Sequence, residues 1–421
     1  MINRRRLLTQ LSLTGLVPLA GCATLGEQRA RVVVIGGGFG GATMARSLKL
    51  AAPQLRVTLI EPRQVYTACP FSNLVIGANR PLSAQQFGFA GVAAAGVEVK
   101  HDTAVGVDAV ARTVTLASAT RIAYDKLVLA PGIELDFTAI PGYDREASRL
   151  APHAWQAGEQ TVLLRDQLRA MPAGGTFVML VPDSPYRCPP GPYERASLVA
   201  HYLHHHNPAA KVLILDNKDA FSKQALFQQG WQSQYGDLIE WQGVADGAAV
   251  SEVDVRNKVI HTDFDSVQYD VANVIPPQRA GRIARMAGAT DASGWCPIDP
   301  ATFASTLLND TYVLGDAAIA NAMPKSAFAA NAQAKYCAVQ VLRALRDLPP
   351  LSSTLANTCY SLVSPQYAIS IAGVYQADET SWRPVPGAGG TSPLTADPAV
   401  RLQEANYADS WFSVVTNEVY G

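Results

Sequence analysis

Gly36-x-Gly38-x-x-Gly41 is the feature that most constrains this chain. It follows Arg31-Val-Val-Val-Ile35, a β-branched run that reads as a buried parallel strand, and precedes Ala42 to Leu50, which has helical character. The first glycine permits a tight turn. The second lets backbone approach a pyrophosphate, and the third lets the helix pack close to the strand. Arg56-Val-Thr-Leu-Ile60 supplies the next strand of the βαβ unit, and Glu61 closes it twenty residues after Gly41. A carboxylate there is placed to accept ribose hydroxyls. The helix N-terminus turns free N–H groups and a positive dipole end toward the phosphates. The expectation is an α/β domain that holds a dinucleotide.

A distant element selects FAD over NAD. Thr311-Tyr-Val-Leu-Gly315-Asp316-Ala317 reads as a strand ending in Gly-Asp before a helix. In flavoproteins with two dinucleotide folds, this aspartate holds the ribityl chain and the following helix points its N-terminus at the flavin. Taken alone, Asp316 reads equally well as a helix cap. Ala130-Pro131-Gly132 matches the point where the chain leaves an FAD domain. The expected FAD residues are therefore Gly36, Gly38, Gly41, Glu61, Pro131, Gly132, Gly315 and Asp316. Lys325, just beyond the Gly-Asp motif, reads either as a flavin neighbour or as a solvent-facing lysine.

At 421 residues the chain exceeds one ordinary core. The fold class expected is α/β, with two Rossmann-like domains of the disulfide-reductase kind and a C-terminal α+β cap. The FAD domain is discontinuous, 30–141 and 275–349. Residues 142–274 form the second domain and 350–421 the cap. A second glycine loop is expected after the strand Thr176 to Val181. The chain runs instead Pro182-Asp-Ser-Pro-Tyr-Arg-Cys188-Pro-Pro-Gly-Pro-Tyr-Glu194. Prolines lack the N–H groups a phosphate needs. NAD(P)H is therefore not expected as electron partner, and a cysteine stands where its loop would be. The formal net charge of −1 gives no sign of nucleic-acid binding. The six cysteines are widely spaced with no CxxC, so no zinc site is expected. His204, His205 and His206 diverge on a helix and read as a solvated helix end.

Residues 1–21 read as a signal peptide: Arg4, Arg5 and Arg6, then an apolar run from Leu7 to Ala20 too short to span a membrane. Asn3-Arg4-Arg5-Arg6-Leu7-Leu8 resembles a twin-arginine signal, the plainer alternative being an ordinary secretory n-region. Leu19-Ala20-Gly21-Cys22 resembles a lipobox, the alternative being a chance cysteine after small residues. The expected location is periplasmic, with a possible lipid tether at Cys22 and no transmembrane span.

Arg187-Cys188-Pro-Pro-Gly-Pro-Tyr-Glu194-Arg-Ala-Ser197, Asn357-Thr-Cys359-Tyr-Ser361, Ile275-Pro-Pro-Gln-Arg-Ala-Gly281 and Gly294-Trp-Cys296-Pro297 resemble the flavoprotein subunit of flavocytochrome c sulfide dehydrogenase. The resemblance runs from Arg31 to Gly421. It implies FAD bound covalently through Cys69, and a redox-active disulfide between Cys188 and Cys359. Glu194 is implied as an acid or base for sulfur, sulfide as the substrate, and a c-type cytochrome as the haem-bearing partner. Trp411 matches an aromatic between flavin and haem, whereas Phe328 stands where the family can carry tyrosine, which leaves the electron route open. Cys296 and Cys337 read as core thiols. The alternatives are a sulfide:quinone oxidoreductase, which would carry amphipathic C-terminal helices, and a non-catalytic electron-transfer or sulfur-binding flavoprotein. The polar, proline-rich segment from Thr380 to Gly421 argues against the quinone enzyme.

Overall fold

The computed structural model describes residues 30–352 and 354–421. The segment read as a signal peptide and Cys22 lie outside the described residues.

Two parallel sheets form the body. The first orders Thr311–Val313 (β9), Lys126–Leu129 (β4), Arg31–Ile35 (β1), Arg56–Ile60 (β2) and Glu98–Lys100 (β3) side by side. Every pairing in it is parallel. Parallel strands need crossovers, and α1 (Phe39–Ala51) makes the one between β1 and β2. Val32, Val33 and Val34 are fully buried between helical layers, which is why the run shows no polar alternation. The second sheet orders Ile239–Gln242 (β7), Lys211–Asp216 (β6), Thr176–Val181 (β5) and Val271–Val274 (β8), again all parallel. Gly191–His206 (α2) crosses from β5 to β6, and Gln224–Tyr235 (α3) from β6 to β7. Two Rossmann-like units are thus present, as the sequence reading expects. His204, His205 and His206 are exposed at the end of α2.

Each unit also carries a three-stranded antiparallel meander, Ala104–Asp108 with Thr113–Leu116 and Arg121–Ala123, and Val250–Asp254 with Val259–Thr262 and Ser266–Gln268. Strands this short carry too few alternations to announce themselves. The long helix Ala327–Ala344 (α4) packs on α1 and ends before Pro349. Its cap is Ser326, whose hydroxyl accepts from Ala329 N at 3.0 Å.

The C-terminal part pairs two eleven-residue strands, Thr354–Ser364 (β10) and Tyr367–Ala377 (β11), as an antiparallel hairpin. A 23-residue helix, Pro398–Tyr420 (α5), lies across it. That helix corrects the reading of the terminal segment as merely polar and proline-rich. Pro398 stands in the first turn, where a missing N–H costs nothing, and Asp397 caps it by accepting from Ala399 N at 2.8 Å. Ala405, Ala408, Phe412, Val415 and Val419 form its buried stripe. Val400, Tyr407 and Val414 remain exposed. A C-terminal helix with exposed apolar residues does not tell against a quinone enzyme. No described helix is long and apolar enough to cross a membrane.

Candidate active site

A cavity of about 590 Å³ opens where the two sheets and the C-terminal hairpin meet. Ten of the residues assigned to cofactor or catalysis from sequence line it: Gly36, Gly38, Cys69, Pro131, Gly132, Cys188, Glu194, Gly315, Asp316 and Cys359. Gly41, Glu61 and Lys325 do not. Gly41 packs behind the turn against Gly36. Glu61 is buried and accepts from Gly37 N at 2.8 Å and from the Arg63 guanidinium at 2.7 and 3.0 Å. Burial pushes its carboxyl up, but these donors outweigh that and hold it below the ordinary range. Lys325 turns away from the cavity. Its ammonium donates to the carbonyls of Asp316 and Ala318, both at 2.8 Å, and lies 3.8 Å from the Trp295 ring centre. Its own carbonyl accepts from Cys188 N at 2.7 Å, so it positions the cysteine loop from behind.

One end of the cavity fits a flavin dinucleotide. The glycine turn at the start of α1 supplies a floor without side chains. Asp316 carries a buried carboxylate oxygen with no protein partner, and burial raises its pKa against the pull of Arg187 and Lys325. Such an oxygen is costly unless a donor reaches it, and a ribityl hydroxyl is such a donor. Cys69 lines the same cavity, its sulfur 3.9 Å from the Trp155 carbonyl.

The other end holds sulfur. All five described cysteines are free thiols; Cys296 and Cys337 are fully buried in the core, while Cys69, Cys188 and Cys359 reach the cavity. Cys188 precedes α2 with φ +57, a left-handed conformation rare outside glycine. Its carbonyl accepts from Gly191 N at 2.8 Å, closing the turn. Burial pushes its thiol pKa well up, with Cys359 and Glu194 adding to the rise and Arg187 and Lys223 opposing it. Cys359 projects from β10 and accepts from Asn357 Nδ2 at 3.2 Å. The 171 residues between the two cysteines are closed by the fold, because α2 packs on β10.

Glu194, on the first turn of α2, points back toward this pair. Asn73 Nδ2 donates to it at 2.7 Å and Leu362 N at 3.0 Å. Burial raises its pKa, and these donors only partly offset the rise. A glutamic acid that keeps its proton above the ordinary carboxylate range is suited to deliver it to a sulfur anion. Glu194→Gln is expected to remove one limb of the pH–rate profile. In the wild type the rate falls as pH rises through Glu194; in the variant that fall is absent and the plateau is about 10–100-fold lower. Steady-state rates from pH 5 to 9 check it.

Arg195, Asn73, Asn357 and Trp155 were not assigned roles from sequence. Arg195 is 2% exposed, donates to Asn73 Oδ1 at 3.0 Å and to Asn273 Oδ1 at 2.9 Å, and stacks 4.9 Å from the Trp155 ring centre. It ties the loop before Cys69's neighbour Trp155 to α2. Arg195, Asn73 and Asn357 each stand a few residues from an assigned cysteine or glutamate, which was the available signal. Phe328 and Trp411, which both line the cavity, stack at 5.9 Å between centroids.

The chain matches family models along most of its described length. Residues 30–167 match the pyridine nucleotide-disulphide oxidoreductases, 161–276 the central part of the sulfide dehydrogenase [flavocytochrome c] flavoprotein chain, and 352–420 the flavin-binding part of flavocytochrome c sulphide dehydrogenase. The sulfide dehydrogenase [flavocytochrome c] flavoprotein chain of Chlorobaculum thiosulfatiphilum is 56% identical over 45 residues, 11% of this chain and 94% of that sequence. The mitochondrial sulfide:quinone oxidoreductase of Mus musculus is 22% identical over 315 residues, 70% of this chain and 67% of that one. Among solved structures, the sulfide:quinone oxidoreductase of Aquifex aeolicus superposes with a TM-score of 0.74 at 17% identity, covering 92% of each chain.

Proposed function

Because the chain belongs to the sulfide-oxidising flavoproteins related to flavocytochrome c sulfide dehydrogenase and sulfide:quinone oxidoreductase, we propose that it oxidises sulfide at a Cys188–Cys359 disulfide and delivers the electrons to a c-type cytochrome. The observation that carries this reading is the placement of both cysteines and Cys69 in one cavity with Asp316 and the glycine turn. FAD, when bound, supplies a two-electron acceptor that can release electrons singly to a haem. The turn, Pro131, Gly132, Gly315 and Asp316 would hold it, and Cys69 would tether it by a thioether.

HS⁻ attacks one sulfur of the disulfide. The Cys–Cys bond breaks, a bond to the incoming sulfur forms, and the other cysteine leaves as a thiolate. Loss of two electrons and one proton then restores the disulfide and releases the sulfur as S⁰ or a polysulfide. Glu194 is the group placed to hold and move that proton. We place the haem on a cytochrome partner, as in the sulfide dehydrogenase [flavocytochrome c] relatives. We place the protein in the periplasm, with Cys22 as its tether.

A second reading, transfer to a quinone, is favoured by the exposed Val400, Tyr407 and Val414 on α5 and by the quinone-reducing relatives. Sulfide added anaerobically to the purified protein is expected to bleach the flavin within seconds. Horse-heart cytochrome c is then expected to restore the colour at least tenfold faster than decylquinone. The reverse order favours the quinone reading, and no bleaching favours a non-catalytic role. Intact mass of the native protein checks the tethers: retention of FAD after denaturation, lost in Cys69→Ser, and a diacylglycerol increment at Cys22.

A further inference from the structure

We propose that Lys223 is a positioning cation for the sulfur centre: it is hydrogen-bonded to the Cys359 carbonyl and offsets the negative charge of the thiolate or persulfide anion formed when the disulfide opens. The inference rests on the cysteine-pair reading above. Lys223 comes from the second Rossmann-like unit, 136 residues before Cys359. It caps the start of α3 with φ +62, a left-handed conformation that a lysine keeps only where its surroundings impose it. Only 8% of the residue is exposed. Its ammonium donates to the Cys359 carbonyl at 2.9 Å, to Ser361 Oγ at 2.8 Å and to the Ile369 carbonyl at 3.4 Å.

All three acceptors are neutral, and among the described residues the ammonium makes no ion pair with a carboxylate. A buried cation without a counter-charge is costly, however well it is hydrogen-bonded. The missing anion is the one that turnover creates next door. Asn357 serves the same sulfur from its own strand: Nδ2 donates to Cys359 Sγ, while Ser326 Oγ donates to its Oδ1 at 2.6 Å and fixes the amide. Burial pushes the Lys223 pKa down to about 8, and Cys359, Glu194, Cys188 and Glu404, the titratable groups that face it, pull the other way. Arg187 and Arg195 belong to the same field and act on Cys188 and Glu194.

The disulfide is neutral, whereas opening it creates a negative charge wherever Cys359 is left as a thiolate or a persulfide anion. A nearby cation therefore favours reduction, and with it the acceptance of electrons from sulfide. An effective dielectric near 20 makes this effect about tenfold or more. Lys223→Gln keeps a donor and removes the charge; Lys223→Arg keeps the charge. Flavin-loaded proteins are equilibrated with mixtures of reduced and oxidised glutathione, and the alkylated thiols are counted by mass. At pH 7 the Gln variant is expected to lie about tenfold toward the disulfide, and the Arg variant within about twofold of wild type. The gap between Gln and wild type is expected to close above pH 9, where the wild-type lysine has lost its charge, a pH signature no merely structural contact would give. A loaded Gln variant with the wild-type equilibrium overturns the assignment, and so does a gap indifferent to pH. Should the Gln variant not fold, Lys223→Met, which needs no hydrogen-bond partner, is read in the same way. Cys359→Ser keeps the two readings apart. If it still oxidises sulfide, the cysteine-pair reading falls; if it does not, yet the lysine variants leave the equilibrium unmoved, only the lysine assignment falls.

Discussion

Serine at position 359 is expected to lower sulfide-dependent reduction of any acceptor by at least about a thousandfold while leaving the flavin in place. The step that fails is the first one, since a hydroxyl cannot form or break a sulfur–sulfur bond. Cys359 is half-buried on β10, and serine is smaller and fits the same strand, so the fold should survive. Asn357 then faces a neutral hydroxyl, while Lys223 keeps its bond to the main-chain carbonyl of residue 359. Cys188→Ser should cost as much, although Cys188 sits in a strained turn and Cys359 in a regular strand. The double variant should be no worse than either single one, because the two sulfurs act as a unit and such losses do not add. Stopped-flow bleaching of the flavin by sulfide separates this from a loss of cofactor, which the visible spectrum reports before mixing. Full bleaching in both single variants would remove the pair from the mechanism and leave direct attack of sulfide on the flavin as the remaining route.

The dinucleotide turn was legible because its causes are local: Gly36 to Gly41 follow a β-branched run, and the spacing fixes what backbone can do. Asp316 stood out for the same reason; it lines the cavity with a buried carboxylate oxygen that has no protein partner. The sulfur centre was not legible from spacing. Cys188 and Cys359 reach one cavity only because α2 packs on β10, so resemblance alone paired them. Lys223 had no signature at all, since its partners are carbonyls and a hydroxyl on strands more than a hundred residues away. Glu61 follows the second strand as its spacing implies, but Arg63, two residues on, takes two of its hydrogen-bonding positions. The helix from Pro398 was missed because prolines and glycines were weighed across the whole segment. The positions decide instead: Gly387, Gly389 and Gly390 precede the helix, whereas Pro398 starts it.

Gly41→Ala and Gly38→Ala are expected to fail in different ways, although both alter the same turn. A Cβ on Gly41 would stand 1.8 Å from the Gly36 carbonyl oxygen, which is backbone and cannot swing aside. The helix must then move off the strand. The cost is about 3 kcal/mol, or roughly 6–12 °C in Tm for the FAD-binding unit, with or without cofactor. A Cβ on Gly38 meets nothing nearer than the Tyr66 hydroxyl at 3.6 Å, an ordinary contact, and Gly38 has a φ of −72° that alanine accepts. The protein alone therefore tolerates Gly38→Ala within about 0.5 kcal/mol. Its methyl group instead occupies the face on which a pyrophosphate would rest, so the flavin content per chain should fall several-fold while the Tm of flavin-free protein stays unchanged. Thermal unfolding and flavin absorbance on the two variants, each prepared from riboflavin-limited and riboflavin-rich cells, distinguish the outcomes. A Gly38→Ala protein with full flavin content would mean that the pyrophosphate does not approach this turn, and the cavity would have to hold its cofactor some other way.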